Sequence, residues 1–256
     1  MRVTVAGITD VGRKRAQNED AFLLLPEEQL YCVADGMGGH ASGEVASRIA
    51  VEELAEFFRM TGRDEEATWP FAGEPGRRLD ENRLLTGVRL ANLRILERSG
   101  TDERLRGMGT TVVCATFDKS GESVIIGHVG DSRAYLVRQG AIRQLTEDHS
   151  LLNDYLRTRR LTPEEIENFP HKNVIVRALG MKDQVEVDLQ RQPLRSGDVV
   201  LLCCDGLSGM VHDERIAEIV RQHQRDLKAA AQALVDAANA AGGVDNITCV
   251  LAQLQD

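Results

Sequence analysis

The sequence predicts an α+β fold in which antiparallel sheets pack together and pairs of helices cover the outside. Apolar runs of strand length recur along the whole chain, and the short glycine-bearing turns between several of them are typical of antiparallel pairing. Stretches with helical spacing occur in pairs instead of one after each strand, which argues against a doubly wound parallel sheet. Because neither an internal repeat nor a domain linker is visible, we expect residues 1–256 to form a single domain.

Three strands and two helices are predicted in the N-terminal part of the chain, where short apolar runs give way to apolar residues at helical spacing. They lie at residues 3–8, 21–25 and 30–35 for the strands, and at residues 41–60 and 82–99 for the helices. Gly100 is expected to end the second helix. Residues 61–81 are polar and contain glycine and proline, so we expect a long loop that Trp69 and Phe71 hold against the domain.

The C-terminal part is predicted to be mostly strand, with one helix pair before the last strand. Four consecutive strands with short connections indicate an antiparallel meander, and the segment that follows, residues 146–180, is polar and weakly helical. The strands are predicted at residues 110–117, 123–129, 134–137, 141–145, 185–189, 198–205 and 246–254, and the helices at residues 214–222 and 227–241.

Composition limits the partners that the protein could have. Hydrophobic residues make up 42% of the chain, which is enough for a sizeable core. The 31 basic and 40 acidic residues give a formal charge of -9, which argues against nucleic acid or an anionic membrane as the main partner.

The sequence also predicts a cellular compartment. No apolar run approaches the roughly 20 residues of a membrane span, and the N-terminal stretch lacks the apolar core of a signal peptide. We therefore expect a cytoplasmic protein. The five cysteines lack CxxC spacing and lie in apolar runs, so we expect buried, reduced thiols, including the neighbouring Cys203 and Cys204.

Five aspartates share one setting, at the junction of an apolar strand and a turn, and most have a glycine nearby. They are Asp20, Asp35, Asp131, Asp205 and Asp245. Buried carboxylates are costly unless they are paired or bind a metal, and a cluster of them cannot ionise fully without a cation. Oxygen ligands favour magnesium or manganese over zinc. For any one of them alone, the simpler interpretation is an ordinary turn aspartate.

A basic turn precedes the first of these aspartates. Two ions a short distance apart can clamp a phosphoryl oxygen, and a phosphate would also need a cation from the chain itself. Arg13, Lys14 and Arg15 lie just before Asp20, and a planar guanidinium suits two phosphate oxygens. The alternative is a solvated basic turn, which we favour for Arg13 and Lys14.

Eight motifs occur in the order of one family's signatures. They are GRKRAQNEDAF, VADGMGGHASGEVAS, GMGTTVV, GHVGDSRAY, LTEDHS, NVIVRALG, LLCCDGLSGMV and GGVDNITCVL. Through these motifs, from Thr9 to Val250, the sequence resembles a metal-dependent serine/threonine protein phosphatase of type 2C, in its bacterial form. The resemblance implies a four-layer α-β-β-α sandwich, in which helix pairs flank two central antiparallel sheets. It also implies two tightly bound Mn²⁺ or Mg²⁺ ions and a weak third ion.

The resemblance assigns metal ligands to individual residues. Asp35 matches the carboxylate that bridges both ions. The backbone carbonyl of Gly36 and the side chains of Asp20, Asp205 and Asp245 match the remaining protein ligands or their water-mediated partners.

Further residues match the surroundings of that metal site. Glu19 matches an outer-shell acid, and Arg15 matches the arginine that binds phosphate. Asp131 matches the acid that holds the weak third ion together with Asp205. Gly209 replaces an aspartate that some members carry, which argues for weak binding of that ion.

Other positions concern the general acid and the segment that the resemblance identifies as a flap, residues 146–180. Animal members have a proposed general-acid histidine where this chain has Met37; His40 is the nearest histidine, and a structural role on its glycine turn is the alternative. Phe169 replaces a histidine that is common in bacterial relatives. Local hydrogen bonding, not catalysis, is expected of the flap residues His149, Ser150, Asn173 and Arg177.

The implied reaction is hydrolysis of phosphoserine and phosphothreonine in proteins by a metal-activated water, without a phosphoenzyme. The expected partners are phosphorylated proteins and a cognate serine/threonine kinase, and we expect a monomer. Two alternatives are a catalytically weak regulator that binds phosphoproteins, and a signalling phosphatase of an anti-sigma pathway. The complete set of Asp20, Asp35, Asp205 and Asp245 argues against the first.

Overall fold

The fold consists of two antiparallel sheets with helices on their outer faces. A computed structural model describes residues 2–38, 42–63, 69–118, 121–167, 169–170 and 174–255. The strands are β1 Arg2–Asp10, β2 Asp20–Leu25, β3 Leu30–Met37, β4 Gly109–Thr110, β5 Val112–Phe117, β6 Ser123–Val129, β7 Arg133–Arg138, β8 Ala141–Gln144, β9 Asp188–Pro193, β10 Val199–Cys203 and β11 Ile247–Gln255. The helices are α1 Ser42–Arg63, α2 Leu79–Thr101, α3 Leu151–Thr158, α4 Pro163–Glu167, α5 Asp205–Ser208, α6 Asp213–Gln222 and α7 Leu227–Ala240.

The strands divide between the sheets in an order that differs from their order in the chain. One sheet runs β1-β11-β10-β7-β8, and the other runs β2-β3-β5-β6-β9 with β4 paired to β3. We call them the first and the second sheet. The first and last strands are neighbours, with Arg2 opposite Gln255 and Asp10 opposite Ile247.

Three apolar layers join the sheets to each other and to the helices. Tyr31, Val113 and Val250 are buried between the two sheets. α1 and α2 cover the outer face of the second sheet through residues such as Leu54, and α6 and α7 cover the first sheet through residues such as Leu234. Burial of these apolar side chains is the main source of stability in such a layered fold. The predicted four-layer α-β-β-α sandwich is confirmed.

The predicted meander is wrong in one respect. β5 and β6 pair in the second sheet, whereas β7 and β8 pair in the first sheet. The chain therefore crosses from one sheet to the other between Val129 and Arg133. Gly130, which has a φ of 110°, makes this sharp change of direction possible.

The other differences concern the ends of elements and one short helix. The second helix passes through Gly100 and ends at Thr101, with Asp102 as its C-terminal cap. The strand expected at residues 185–189 begins instead at Asp188, and the short helix α5 after β10 was not predicted. Such boundaries depend on tertiary contacts that local patterns do not encode.

Several local predictions are confirmed. The ring of Trp69 packs edge-on against Phe57, with ring centroids 5.9 Å apart, so it does hold its loop to the domain. All five cysteines are buried and free. No helix in the described part of the chain combines the length and the hydrophobicity that crossing a membrane requires.

Candidate metal centre

Two acidic side chains of the second sheet lie opposite each other. Asp20 is the first residue of β2, and its cross-strand partner on β3 is Asp35. Directly opposed residues of an antiparallel pair project from the same face, so the two carboxylates are neighbours. The backbone carbonyl of Asp35 accepts hydrogen bonds from the Thr111 amide at 2.9 Å and from the Thr110 hydroxyl at 2.8 Å.

The first sheet brings its aspartates to the same end of the sandwich. β10 ends at Cys203, which lies opposite Arg133 at the start of β7. β11 begins at nearly the same level of the sheet. Asp205 follows β10, Asp245 precedes β11, and Asp131 precedes β7, so all three lie at one edge. A cavity of about 410 Å³ opens there, with Asp131 and Asp205 in its wall.

The cluster carries strongly perturbed acidities. Burial raises the pKa of Asp20 to about 6 and that of Asp131 to about 7, and Asp205 adds to both shifts. Burial, followed by the charges of Asp20 and Asp205, raises the pKa of Asp35 well above its usual range. Burial and the charge of Asp245 raise the pKa of Asp205 as well. The site therefore favours added positive charge, which either protons or a metal cation can supply.

One carboxylate oxygen supports the metal interpretation directly. The Asp20 Oδ1 atom is buried and has no hydrogen-bond partner among the described residues, while Oδ2 accepts a 2.6 Å bond from the Thr248 hydroxyl. Asp20, Asp35 and Cys204 each place a ligand atom within 4.8 Å of the others. A buried oxygen without a partner is costly unless a cation or a water satisfies it. The residues present thus fit a hard divalent ion such as Mn²⁺ or Mg²⁺.

Gly36 and Glu19 lie at the mouth of this cluster. The Gly36 amide donates to the Glu19 carbonyl at 3.2 Å, and the Ser47 hydroxyl donates to the same carbonyl at 2.6 Å. A Cβ atom on Gly36 would lie 2.2 Å from the Gly43 carbonyl oxygen, so only glycine fits there. This close packing fixes the backbone of Gly36, the residue that follows Asp35.

Arg15 is paired with one of the predicted metal ligands. Its guanidinium donates to the Asp245 carboxylate at 2.7 Å, and the side chain is half exposed. The hydrogen bond to Asp245 raises the pKa of Arg15. Arg13 and Lys14 are exposed, as predicted. Arg15 therefore lies at the edge of the acidic cluster with one face open to solvent.

Residues of the flap-like segment form local hydrogen bonds, and some of its positions are outside the described residues. Ser150 caps α3 by accepting from the Asn153 amide at 3.3 Å. Phe169 packs edge-on against Tyr155, with centroids 5.0 Å apart, so this position has an apolar role. His40 and Asn173 lie outside the described residues.

Residues that support the acidic cluster were not predicted from the sequence. The Asn246 side chain accepts from the Glu19 amide at 2.8 Å and donates to the Gln17 carbonyl at 2.9 Å. The Cys204 thiol accepts from the Thr248 amide at 3.1 Å, beneath Asp20. The available signal was that Asn246 and Thr248 lie within three residues after Asp245, and nothing in their residue types identifies a partner.

The chain also matches known proteins along nearly its whole length. The family model described as protein phosphatase 2C matches residues 11–242. The chain belongs to the protein phosphatase 2C family. The residues matched include Asp20, Asp35, Asp131 and Asp205 of the cluster.

Relatives and solved structures agree with this assignment. A serine/threonine phosphatase, Stp, of Listeria welshimeri is 39% identical over 252 residues, which cover 96% of this chain and 93% of that protein. The crystal structure of the Mycobacterium tuberculosis serine/threonine phosphatase PstP superposes with a TM-score of 0.85 at 36% identity, and covers 100% of both chains. A structure of the PstP catalytic domain with two manganese ions gives a TM-score of 0.81 at 36% identity, over 99% of both chains.

These matches confirm the predicted enzyme class. The protein is a metal-dependent serine/threonine protein phosphatase, and the alternative of a catalytically weak phosphoprotein-binding regulator is not favoured.

Proposed function

We propose that this enzyme removes phosphate from phosphoserine and phosphothreonine in proteins at the acidic end of the sandwich, with two Mn²⁺ or Mg²⁺ ions. The observation that carries this proposal is the convergence of Asp20 and Asp35 from one sheet with Asp205 and Asp245 from the other. Their raised pKa values and the unpartnered Asp20 Oδ1 atom indicate a site that is incomplete without cations.

In this proposal each acidic residue has a distinct role. Asp35 would be shared by the two ions, and the Gly36 carbonyl, Asp205 and Asp245 would complete their protein ligands. Asp20 contributes directly or through a water, and Glu19 binds waters of the outer shell. When bound, the ions supply Lewis-acid activation of a water and neutralise charge on the phosphoryl oxygens.

Arg15 is proposed to bind the phosphate. Its charge persists at every physiological pH, and a guanidinium can donate two parallel hydrogen bonds to phosphate oxygens. Arg15 is paired with Asp245 at 2.7 Å, and a cation bound to Asp245 would compete for this carboxylate and so would leave donors of Arg15 available to the substrate. Arg15 then stabilises the charge that spreads over the equatorial oxygens during in-line displacement.

Asp131 is proposed to hold a weaker third ion with Asp205. Both side chains line the same cavity, and the charge of Asp205 contributes to the raised pKa of Asp131. Gly209, also in the cavity wall, offers no side-chain ligand. With few charged oxygens, such an ion would retain several waters and bind loosely. His40 remains a proposed general acid, with a structural role as the alternative.

The cellular setting follows from the family and the charge. We infer that the substrates are phosphorylated proteins, that a cognate serine/threonine kinase supplies them, and that the enzyme acts in the cytoplasm as a monomer. Relatives that are named serine/threonine phosphatases support the substrate class. The PstP structure with two manganese ions supports manganese as the metal.

Turnover of a phosphothreonine peptide tests the proposal. We expect phosphate release with Mn²⁺, loss of release with excess chelator, and recovery when Mn²⁺ is restored. Incorporation of ¹⁸O from labelled water into the released phosphate shows that water attacks phosphorus, and the absence of a trapped phosphoenzyme distinguishes direct attack from a covalent route. Chelator-resistant turnover would overturn the metal assignment.

A further inference from the structure

His149 binds the turn that carries Asp131 through both backbone groups of one residue, Gly130. The Gly130 amide donates to His149 Nδ1 at 3.0 Å, and the His149 amide donates to the Gly130 carbonyl at 2.9 Å. His149 is 3% exposed, so these bonds are sheltered from water. One residue of the flap-like segment therefore holds both the N–H and the C=O of the residue before Asp131.

The backbone of this turn is also constrained on both sides of Asp131. Gly130 has a φ of 110°, and a Cβ atom there would lie 2.6 Å from the Thr111 side chain. On the other side of Asp131, the Ser132 hydroxyl bonds the Thr111 hydroxyl at 2.7 Å, and Thr111 in turn bonds the backbone of Asp35. Asp131 is thus held between His149 and the strand that carries the proposed bridging ligand.

The hydrogen bonds also fix the tautomer of His149. Because Nδ1 accepts from the Gly130 amide, the ring proton of neutral His149 is on Nε2. That proton faces the Asp188 carboxylate, whose Oδ2 lies 3.4 Å from Nε2, so the Arg177 nitrogen at 3.2 Å from Nε2 is a neighbouring charge and not a hydrogen-bond donor to the ring. The ring also stacks on His128, with centroids 4.6 Å apart. These contacts leave His149 one orientation, in which Nδ1 points at the turn.

A metal site at the same place is disfavoured. His128, His149 and Asp188 could each offer a ligand atom within 4.8 Å of the others. However, an Arg177 guanidinium nitrogen lies 3.2 Å from His149 Nε2 and 2.7 Å from the Asp188 carboxylate. A cation would have to displace this positive charge, so the histidine pair is better explained by positioning.

We propose that His149 is a positioning residue, which holds the Gly130 turn so that the Asp131 carboxylate faces Asp205. It acts through the Nδ1 acceptor, and Asp188 sets the tautomer that makes Nδ1 an acceptor. This inference rests on the proposed function for its effect on turnover. The hydrogen bonds themselves can be tested on the metal-free protein.

Replacing His149 with each of the two amide side chains distinguishes a positioning role from a role in packing alone. In His149→Asn the side-chain oxygen reaches the position of Nδ1, whereas in His149→Gln it reaches the position of Nε2. Loss of a partner that orients a ligand typically weakens metal binding or activity by about 10–100-fold. We expect His149→Gln to weaken loose-site Mn²⁺ binding and phosphopeptide kcat by about 10-fold, and His149→Asn to stay close to the parent. Equal losses in both variants would overturn the proposal.

A double-mutant cycle shows whether the effect passes through Asp131. In the Asp131→Ala background, His149→Gln should add little further loss of kcat, because the residue being positioned is already gone. A full additional loss in that background contradicts the proposal. If turnover by the parent is absent or resists chelator, the proposed function fails. NMR of the metal-free protein still decides the positioning role in that case.

Nitrogen NMR of the unmodified, metal-free protein tests the geometry even if the variants do not fold. We expect a neutral His149 with the proton on Nε2, and a coupling across the hydrogen bond from the Gly130 amide to Nδ1. A proton on Nδ1, or a Gly130 amide that exchanges as freely as an exposed one, would overturn the inference.

Discussion

Asp20 and Asp35 face each other across strands β2 and β3, so two carboxylates occupy directly opposed positions of an antiparallel pair. Like charges in this arrangement are destabilising unless a proton or a cation lies between them. Asp35→Asn should abolish Mn²⁺-dependent turnover and leave the fold intact. It should also raise the melting temperature of the metal-free protein, because one buried acid is removed.

Calorimetry and peptide turnover together check this prediction, with Asp236→Asn, an exposed carboxylate on α7, as the matched control. Substantial turnover by purified Asp35→Asn would rule out a bridging role. Adding Mn²⁺ at 100 times its dissociation constant should stabilise the parent by about 2.7 kcal/mol and the variant by much less.

Thr248 is predicted to control metal affinity through Asp20. Thr248→Val removes the 2.6 Å bond to Asp20 Oδ2 while it keeps the shape of the side chain. We expect the affinity for Mn²⁺ to fall roughly 10-fold in a calorimetric titration, because Asp20 loses the group that orients it. Thr4→Val is the matched control, since Thr4 Oγ1 is buried without a partner in the described part of the chain. Equal effects of the two changes would argue against this role.

Arg15→Ala should mainly impair phosphate binding. Loss of one charge-assisted contact should lower kcat/KM by roughly 10-fold to 100-fold, about 1.5–3 kcal/mol, and should raise KM and the inhibition constant of inorganic phosphate. Lys14→Ala, an exposed neighbour in the same turn, is the control and should behave like the parent. Unchanged phosphate inhibition in Arg15→Ala would show that Arg15 does not touch the substrate.

Asp131→Ala tests the weak third ion. The two tight sites and the fold should survive, because the other four acidic side chains are unchanged, whereas hydrolysis of phosphopeptides should slow. Titration with Mn²⁺ should lose only its weakest phase. If the variant matches the parent in both weak binding and kcat, Asp131 serves only the turn before Arg133.

His149 gives the stability of the metal-free protein a defined pH dependence. Burial, and then the positive charges of His128 and Arg177, lower its pKa to about 4, while Asp188 opposes the shift. The folded pKa is below the unfolded value of about 6.5, so the unfolded chain takes up the proton first. The contribution of His149 is complete above about pH 6.5 and is lost as the pH falls toward 4.

Denaturant unfolding at several pH values measures this contribution as a difference between the parent and His149→Asn. The parent should lose more stability than the variant between neutral pH and pH 4. Parallel curves for the two proteins would mean that His149 is not held neutral by the fold.

Much of the site could be predicted from the sequence because its acidic residues lie at or near the ends of apolar strands. Asp35 and Asp205 each follow a run of buried strand residues, and such a junction is visible without coordinates. The helix pairs and antiparallel strands were recognisable for the same reason, since each has its own apolar period.

The supporting residues and the sheet assignment could not be predicted in this way. Asn246 bonds the backbone of Gln17, which lies 229 positions away, and no local pattern records such a contact. The short link between β6 and β7 has the length of a hairpin turn, yet the positive φ of Gly130 directs the chain into the other sheet. A hairpin within one sheet and a crossing between two sheets differ in tertiary packing and not in local propensity.

The pairing of β1 with β11 has a consequence for synthesis of the protein. β1 is translated before β11, and among the described strands its neighbour in the first sheet is β11, so this pairing cannot form until β11 has been translated. Contacts between such distant segments slow folding and leave strand edges exposed to other chains. A chain that stops short of β11 would leave both β1 and β10 without their shared neighbour, and such open strand edges would make it a target for chaperones and proteases.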